Sequence, residues 1–280
     1  MGNYGGRYIH YGVREHVMAA VSNGLAAYAP GTIIPTTSSF FMFYLYAAPA
    51  VRMGALQQLQ VIHVATHDSI GMGEDGPTHQ PIELASLYRA MPNILYMRPG
   101  DSEETAGAWI TAIEAKKTPS IISTSRHTLP QLKGTSREKV AKGAYVLQEF
   151  EDADVTLIGV GAELTFAVDV AEQLKAKGVK TRVVSFPCWR LFEAQSLEYK
   201  RDTLRRHKGI PSVVIEPYAP NGWERYANAA ICMTRFGHSL PGKAAYKYFG
   251  FEVGPMTDKV AKYLESVKAD SILQHEFVEL

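Results

Sequence analysis

Val61-Ile62-His63-Val64-Ala65 runs directly into Thr66-His67-Asp68-Ser69-Ile70-Gly71-Met72-Gly73-Glu74-Asp75-Gly76-Pro77-Thr78-His79-Gln80-Pro81. A short, almost continuously apolar run is what a strand buried on both faces looks like, and parallel sheets are built from such strands. The polar loop after it then falls at the carboxyl end of that strand, where open α/β sheets bind their ligands. Two histidines, two aspartates and a glutamate stand among three glycines in this loop. Their spacing matches neither a calcium loop nor an HExxH helix, so no metal ligands are assigned. A solvated loop and a site for an organic substrate are the two readings left open.

Working outward, similar β-rich runs at residues 8–11, 94–97 and 120–124 are expected to be the companion strands. Helical spacing of Val17, Ala20, Val21 and Leu25 predicts a helix over 14–28. Asp101 followed three residues later by Glu104 resembles a capping box opening a helix over 103–117, which Pro119 ends. No apolar period survives residues 129–143, which read as a linker, and a boundary near Ala144 divides the chain into domains 1–144 and 145–280. The second domain repeats the alternation: strand 155–160, helix 163–177 closed by Gly178, strands 181–186 and 212–216, and a last helix over 257–267. Gly159-Val160-Gly161 lacks the third glycine of a phosphate loop and reads as a tight turn. The fold class is therefore α/β, with two domains that are each a mainly parallel sheet flanked by helices.

Composition agrees with a globular enzyme: 280 residues, 46% hydrophobic and 20% charged. The 29 basic and 28 acidic residues leave a net charge of +1 with no basic stripe, so no nucleic-acid partner is expected. The greasiest stretch, 40–51, is broken by Pro49 and falls short of the roughly 20 apolar residues of a membrane span. Cys188 and Cys232 are too few for a disulfide framework and are expected to be core thiols in a reducing compartment. Met1-Gly2-Asn3-Tyr4-Gly5-Gly6 has no signal-peptide character and reads as a loop entered in mid-domain, so a cytoplasmic location is expected, or a peroxisomal one reached through a partner.

Three further segments carry chemistry. In Tyr11-Gly12-Val13-Arg14-Glu15-His16 a glutamate stands in a first helical turn, where the helix dipole alone favours it and where it could equally bond a ligand. Phe40, Phe43 and Tyr46, spaced by three, share one helical face and serve as core or as a wall for a heteroaromatic ring. Ser125-Arg126-His127 follows a strand at what should be the same sheet edge, so Arg126 suits a phosphate or a surface salt bridge.

Tyr11 to His16, Thr66 to Gly71, Gly73 to Pro81, and then Ser125-Arg126 with Leu129-Pro130-Gln131 together resemble the pyrimidine-binding domain of transketolases, and the likeness continues through the family's C-terminal domain. Within that family Ser22 to Gly31, Tyr44 to Pro49 and Gly222 to Ala227 are similar to the fungal dihydroxyacetone synthase branch. The resemblance implies ketol transfer from a ketose to an aldehyde with thiamine diphosphate as cofactor. Glu15 matches the glutamate that bonds the aminopyrimidine ring; Phe40, Phe43 and Tyr46 match the pocket around it. His67 and Arg126 match contacts to substrate phosphate, Asp75 the reader of an acceptor's C2 hydroxyl, and His79 a contact near the donor's C1 hydroxyl. Glu15, His67 and His79 are thus the catalytic candidates.

The family's Gly-Asp-Gly motif with downstream asparagine, which holds Mg2+ (or Ca2+) and the diphosphate, does not occur in these 280 residues. Nor do the N-terminal histidines, or the first strand of the pyrimidine domain with its arginine and serine. The resemblance therefore implies a partner, an N-terminal transketolase-like subunit with the diphosphate-binding domain, in an α2β2 assembly. A deoxyxylulose-phosphate synthase or a two-oxoacid dehydrogenase β subunit fits the loop from His67 to Gln80 poorly. A non-catalytic, transketolase-like interaction subunit is the alternative from another class.

Overall fold

The computed structural model describes residues 5–280. Four parallel strands form the first sheet: β1 (Thr36–Phe40), β2 (Ile62–Thr66), β3 (Leu95–Met97) and β4 (Ser120–Ser123), in the order β1-β2-β4-β3. Around them run α1 (Glu15–Tyr28), α2 (Tyr44–Leu56), α3 (Leu84–Ala90), α4 (Ser102–Glu114) and the single turn α5 (Arg137–Val140). The second sheet has the order β10-β9-β8-β6-β7-β5, from β5 (Tyr145–Gln148), β6 (Val155–Gly159), β7 (Thr181–Ser185), β8 (Ser212–Ile215), β9 (Ala229–Ile231) and β10 (Val278–Glu279). Only β5 runs antiparallel to its neighbour. Its helices are α6 (Leu164–Ala176), α7 (Trp189–Glu193), α8 (Leu197–Leu204), α9 (Gly242–Tyr248) and α10 (Val253–Ala269). The expected α/β class with two helix-flanked, mainly parallel sheets is what is found.

Both sheets are covered on both faces, and the side-chain alternation of a strand assigns residues to each. Ile121 and Tyr96 pack with α1, α2 and α3, while Ile122, Leu95 and Met97 pack with Ala108 and Ala112 of α4. In the second sheet Leu157, Val183 and Val213 face α6 and α10, and Ile158, Val184 and Val214 face an aromatic cluster around Phe186 and Trp223. Burial on two sides is the physical reason these strands are readable as apolar runs. Asp101 caps α4 by accepting from the Glu104 N–H at 3.0 Å, but the Glu104 carboxylate turns to the Gly100 N–H, Tyr145 and Ser185, so only half of a capping box forms.

Three expectations need correction. Residues 8–11 form no strand: Tyr8 and Ile9 are exposed and no strand lies beside them. The edge of the sheet is instead Thr36–Phe40, whose Thr-Thr-Ser-Ser composition hid it, since an edge strand needs fewer apolar side chains. Phe40, Phe43 and Tyr46 also do not share one α-helical face. Phe40 ends β1, Phe41–Phe43 is a 3-10 turn, and Tyr46 lies in the first turn of α2. The spacing of three still aligns them, because a 3-10 turn superposes residues i and i+3. The last helix begins four residues earlier than expected, at Val253, accommodating Pro255 in its first turn. Among the described residues, no helix is long and apolar enough to cross a membrane.

Candidate active site at the carboxyl edge of the first sheet

Strand register builds the site. Phe40 and Thr66 are paired neighbours at the carboxyl ends of β1 and β2, so the residue that follows Thr66 emerges beside Phe40. His67 follows immediately, in the left-handed region at φ 59°, and its ring stacks on Phe40 with centroids 3.8 Å apart. Phe40 stacks on Phe43 at 5.8 Å, and Phe43 meets Tyr46 at 6.2 Å. His79 returns from the far end of the loop to meet Phe43 edge-on at 4.9 Å. The rings of five predicted residues thus adjoin at one place.

Glu15 is the first residue of α1, where the helix dipole favours its carboxylate, and it is half-buried. The Ser39 hydroxyl donates to its Oε1 at 3.2 Å, so β1 ties the glutamate to the strand that ends in Phe40. Arg126 lies three residues beyond β4, exposed; among the described residues no carboxylate comes within ion-pairing distance of it, which leaves the salt-bridge reading without a partner. Burial, and after it the Arg126 guanidinium, lower the pKa of His67 below the ordinary imidazole value, outweighing Asp75 and Asp68. His67 is therefore held neutral at pH 7, with Thr66 Oγ1 3.0 Å from its Nδ1. His79 has Thr78 Oγ1 2.8 Å from Nδ1. Asp75 is exposed at the crest of the same loop, ahead of the 3-10 turn Gly76–Thr78. A carboxylate, a wall of aromatic rings, a free guanidinium and two imidazoles are suited to a heteroaromatic ring and a polar, anionic substrate. Among the described residues no group of three or more His, Cys, Asp or Glu side chains could hold a metal ion.

Beneath this edge lies a buried charge network that the sequence reading missed. Arg98, directly after β3 and fully buried, bonds Asp68 through Nε at 2.7 Å, Glu163 at 2.6 Å and Glu216 at 3.0 Å. Arg89 grips Glu216 with two bonds of 2.7 Å, and the Trp223 indole donates to the same carboxylate. Burial alone would raise the Glu216 pKa, but Arg89 and Arg98 outweigh it and hold the carboxyl below its usual range. Burial does raise Glu163, against the pull of Arg98. Glu163 also accepts from Ser69 and Tyr246 at 2.6 Å each. Gly161, in the turn expected from Gly159-Val160-Gly161, sits at φ 58° where a Cβ would strike Arg98. Arg98 immediately after an apolar strand was the one sequence signal for this network. Cys188 lies in the core with its thiol pushed up to about 11 by burial; Cys232 is only half-buried.

Comparison with known proteins gives the following. Residues 3–131 match the family model for the transketolase pyrimidine-binding domain, and residues 143–252 match that for the transketolase-like C-terminal domain. The dihydroxyacetone synthase of Candida boidinii is 53% identical over 280 residues, all of this chain and 39% of that protein. The solved structure of Pichia stipitis transketolase in complex with sedoheptulose-7-phosphate superposes with a TM-score of 0.92 at 42% identity, over 96% of this chain and 39% of that one. A split-gene transketolase solved as an inactive β4 tetramer shares the fold, with a TM-score of 0.74 at 23% identity over 90% of this chain and 82% of that one. The chain thus spans about 39% of the length of the dihydroxyacetone synthase that it matches.

Proposed function

The chain belongs to the transketolase family, and on that footing we propose that it is one half of a thiamine-diphosphate-dependent enzyme transferring a two-carbon ketol unit from a ketose to an aldehyde. The observation that supports this best is the hydrogen bond from Ser39 to Glu15, which ties that carboxylate to the strand ending at Phe40, where the aromatic wall begins. The described residues fit the cofactor's pyrimidine end: a half-buried carboxylate for the ring nitrogen beside three aromatic side chains for its faces. When bound, thiamine diphosphate supplies the electron sink for cleaving and forming the carbon–carbon bond. Glu15 holds or shares a proton at its Oε atoms with the aminopyrimidine. His67, neutral, donates or accepts a hydrogen bond without adding charge, so that Arg126 supplies the positive charge for a substrate phosphate. Asp75 accepts from an acceptor's C2 hydroxyl, and His79 orients the donor's C1 hydroxyl.

On this reading 1–144 is the pyrimidine-binding domain and 145–280 the C-terminal domain. The diphosphate and its Mg2+ (or Ca2+) are held by a partner, an N-terminal transketolase-like subunit, in an α2β2 complex related by two-fold symmetry. In favour of such a partner, neighbouring α1 and α2 leave apolar rows exposed: Val17, Val21 and Tyr28 on one, Leu45, Met53 and Leu56 on the other. The working compartment is the cytoplasm, or the peroxisome if the partner carries the address. The test is ketol transfer by the complex with xylulose 5-phosphate and with an unphosphorylated ketose. Arg126→Ala should lower kcat/KM about ten- to a hundredfold on the phosphorylated donor alone. Equal losses on both donors would mean that Arg126 supports the fold and does not read phosphate.

A further inference from the structure

The loop from Thr66 to Pro81 carries three of the candidate substrate residues, and much of what fixes its shape comes from residues of the second half of the chain. Ser69, like His67, is in the left-handed region, at φ 67°, a conformation that costs a non-glycine residue of order 1 kcal/mol or more and so needs outside support. The support is Glu163: it accepts from the Ser69 hydroxyl and, through Arg98, holds Asp68 on the other side. Tyr246 of α9 bonds the same Glu163 oxygen, and its ring closes over Gly71, where a Cβ would come within 2.7 Å of it. Further along, the Ser239 hydroxyl donates to the Glu74 carbonyl at 2.5 Å, and its Cβ would lie 3.0 Å from any Cβ at Gly76. Both neighbours of Asp75 are therefore seated on one residue. Gln80 closes the loop base by donating to the Ile70 and His238 carbonyls.

We propose that Glu163 and Ser239 are positioning residues of the site: Glu163 sets His67 by locking Asp68 and Ser69, and Ser239 sets Asp75 by locking Glu74 and Gly76. The inference rests on the ketol-transfer reading for the roles of His67 and Asp75, but not for the mechanical coupling. It assigns the second half of the chain a task, that of shaping a substrate loop rooted in the first.

The test uses Glu163→Gln, Tyr246→Phe and Ser239→Ala with two readouts. The first is the titration of the His67 ring by NMR in the 280-residue chain, assigned by its absence in His67→Gln. Glu163→Gln should raise the His67 pKa toward the ordinary value of about 6.5 as the ring leaves its stack on Phe40. Tyr246→Phe, which deletes one hydroxyl and should fold whatever Glu163→Gln does, should move it the same way by less. The second readout is steady-state kinetics of the complex. Ser239→Ala should raise the acceptor KM about fivefold, the fold-change of one ordinary hydrogen bond, with kcat within twofold and the His67 titration unchanged. Folded variants that leave both the His67 titration and the acceptor KM at wild-type values would overturn the proposal. So would Ser239→Ala lowering kcat and leaving KM alone. Should the wild-type complex show no ketol transfer, the functional reading fails, while the NMR readout still decides the coupling.

Discussion

Replacing Arg98 with methionine tests whether the buried network joins the two halves. Arg98 holds three carboxylates at 2.6 to 3.0 Å, but they depend on it unequally. Glu216 keeps both bonds from Arg89 and one from Trp223, and Glu163 keeps Ser69 and Tyr246. Asp68 loses its only side-chain partner among the described residues, since its other oxygen is buried with none of them bonded to it. Methionine fills much of the volume, so the cost is that of leaving about one charge buried and uncompensated, roughly 3 to 5 kcal/mol. Glu163, already raised by burial, loses the opposing pull of Arg98 and should take up a proton in the folded variant, with a pKa above that of the unfolded chain. The folded variant then binds more protons than the unfolded one, so its deficit against wild type should be smaller at pH 5 than at pH 7. Urea melts at both pH values measure this. A loss under about 1 kcal/mol, or a deficit equal at the two pH values, would show that the network does not carry the charge balance described. Adding Asp68→Asn to Arg98→Met should recover part of the loss.

Two other perturbations probe the first sheet. Glu15→Gln in the complex should fold normally and lose several orders of magnitude in turnover, each tenfold being about 1.4 kcal/mol; turnover within threefold of wild type would refute the role of Glu15. His63, buried beside Thr37 with Nδ1 2.7 Å from its hydroxyl, has its pKa pushed down to about 3 by burial. The unfolded chain protonates this histidine near 6.5 and the folded one does not, so its contribution is present above 6.5 and lost as pH falls toward 3. That is about 1.4 kcal/mol per pH unit within the window. His63→Gln should therefore flatten the acid limb of the stability profile between pH 6.5 and 5, and an unchanged slope would mean that His63 is protonated in the folded state.

What could be read from the sequence follows from where each feature gets its stability. β2, β3, β4, β6, β7 and β8 are buried on both faces, and this writes them into the chain as apolar runs. β1 borrows its order from β2 along one edge and carries threonine and serine, so it was missed. Tyr8 to Tyr11 has strand-like composition but no neighbour to pair with. Glu15, the aromatic trio and the loop from His67 to His79 were visible because each is a local motif. The register Phe40 to Thr66, which brings them together, is not local. Least legible was the buried network. Ser69 and Glu163 are 94 residues apart, Ser239 and Glu74 are 165 apart, and no periodicity links them.

On the proposed reading these 280 residues hold only the pyrimidine side of the cofactor. Titration calorimetry of thiamine diphosphate with Mg2+, first into the chain alone and then into the chain together with the proposed N-terminal transketolase-like subunit, tests this directly. The expected result is no measurable heat of binding to the chain alone, because on that reading the groups that pair the diphosphate charge lie on the partner, and saturable binding by the complex at one site per chain. Micromolar binding by the isolated chain would contradict it.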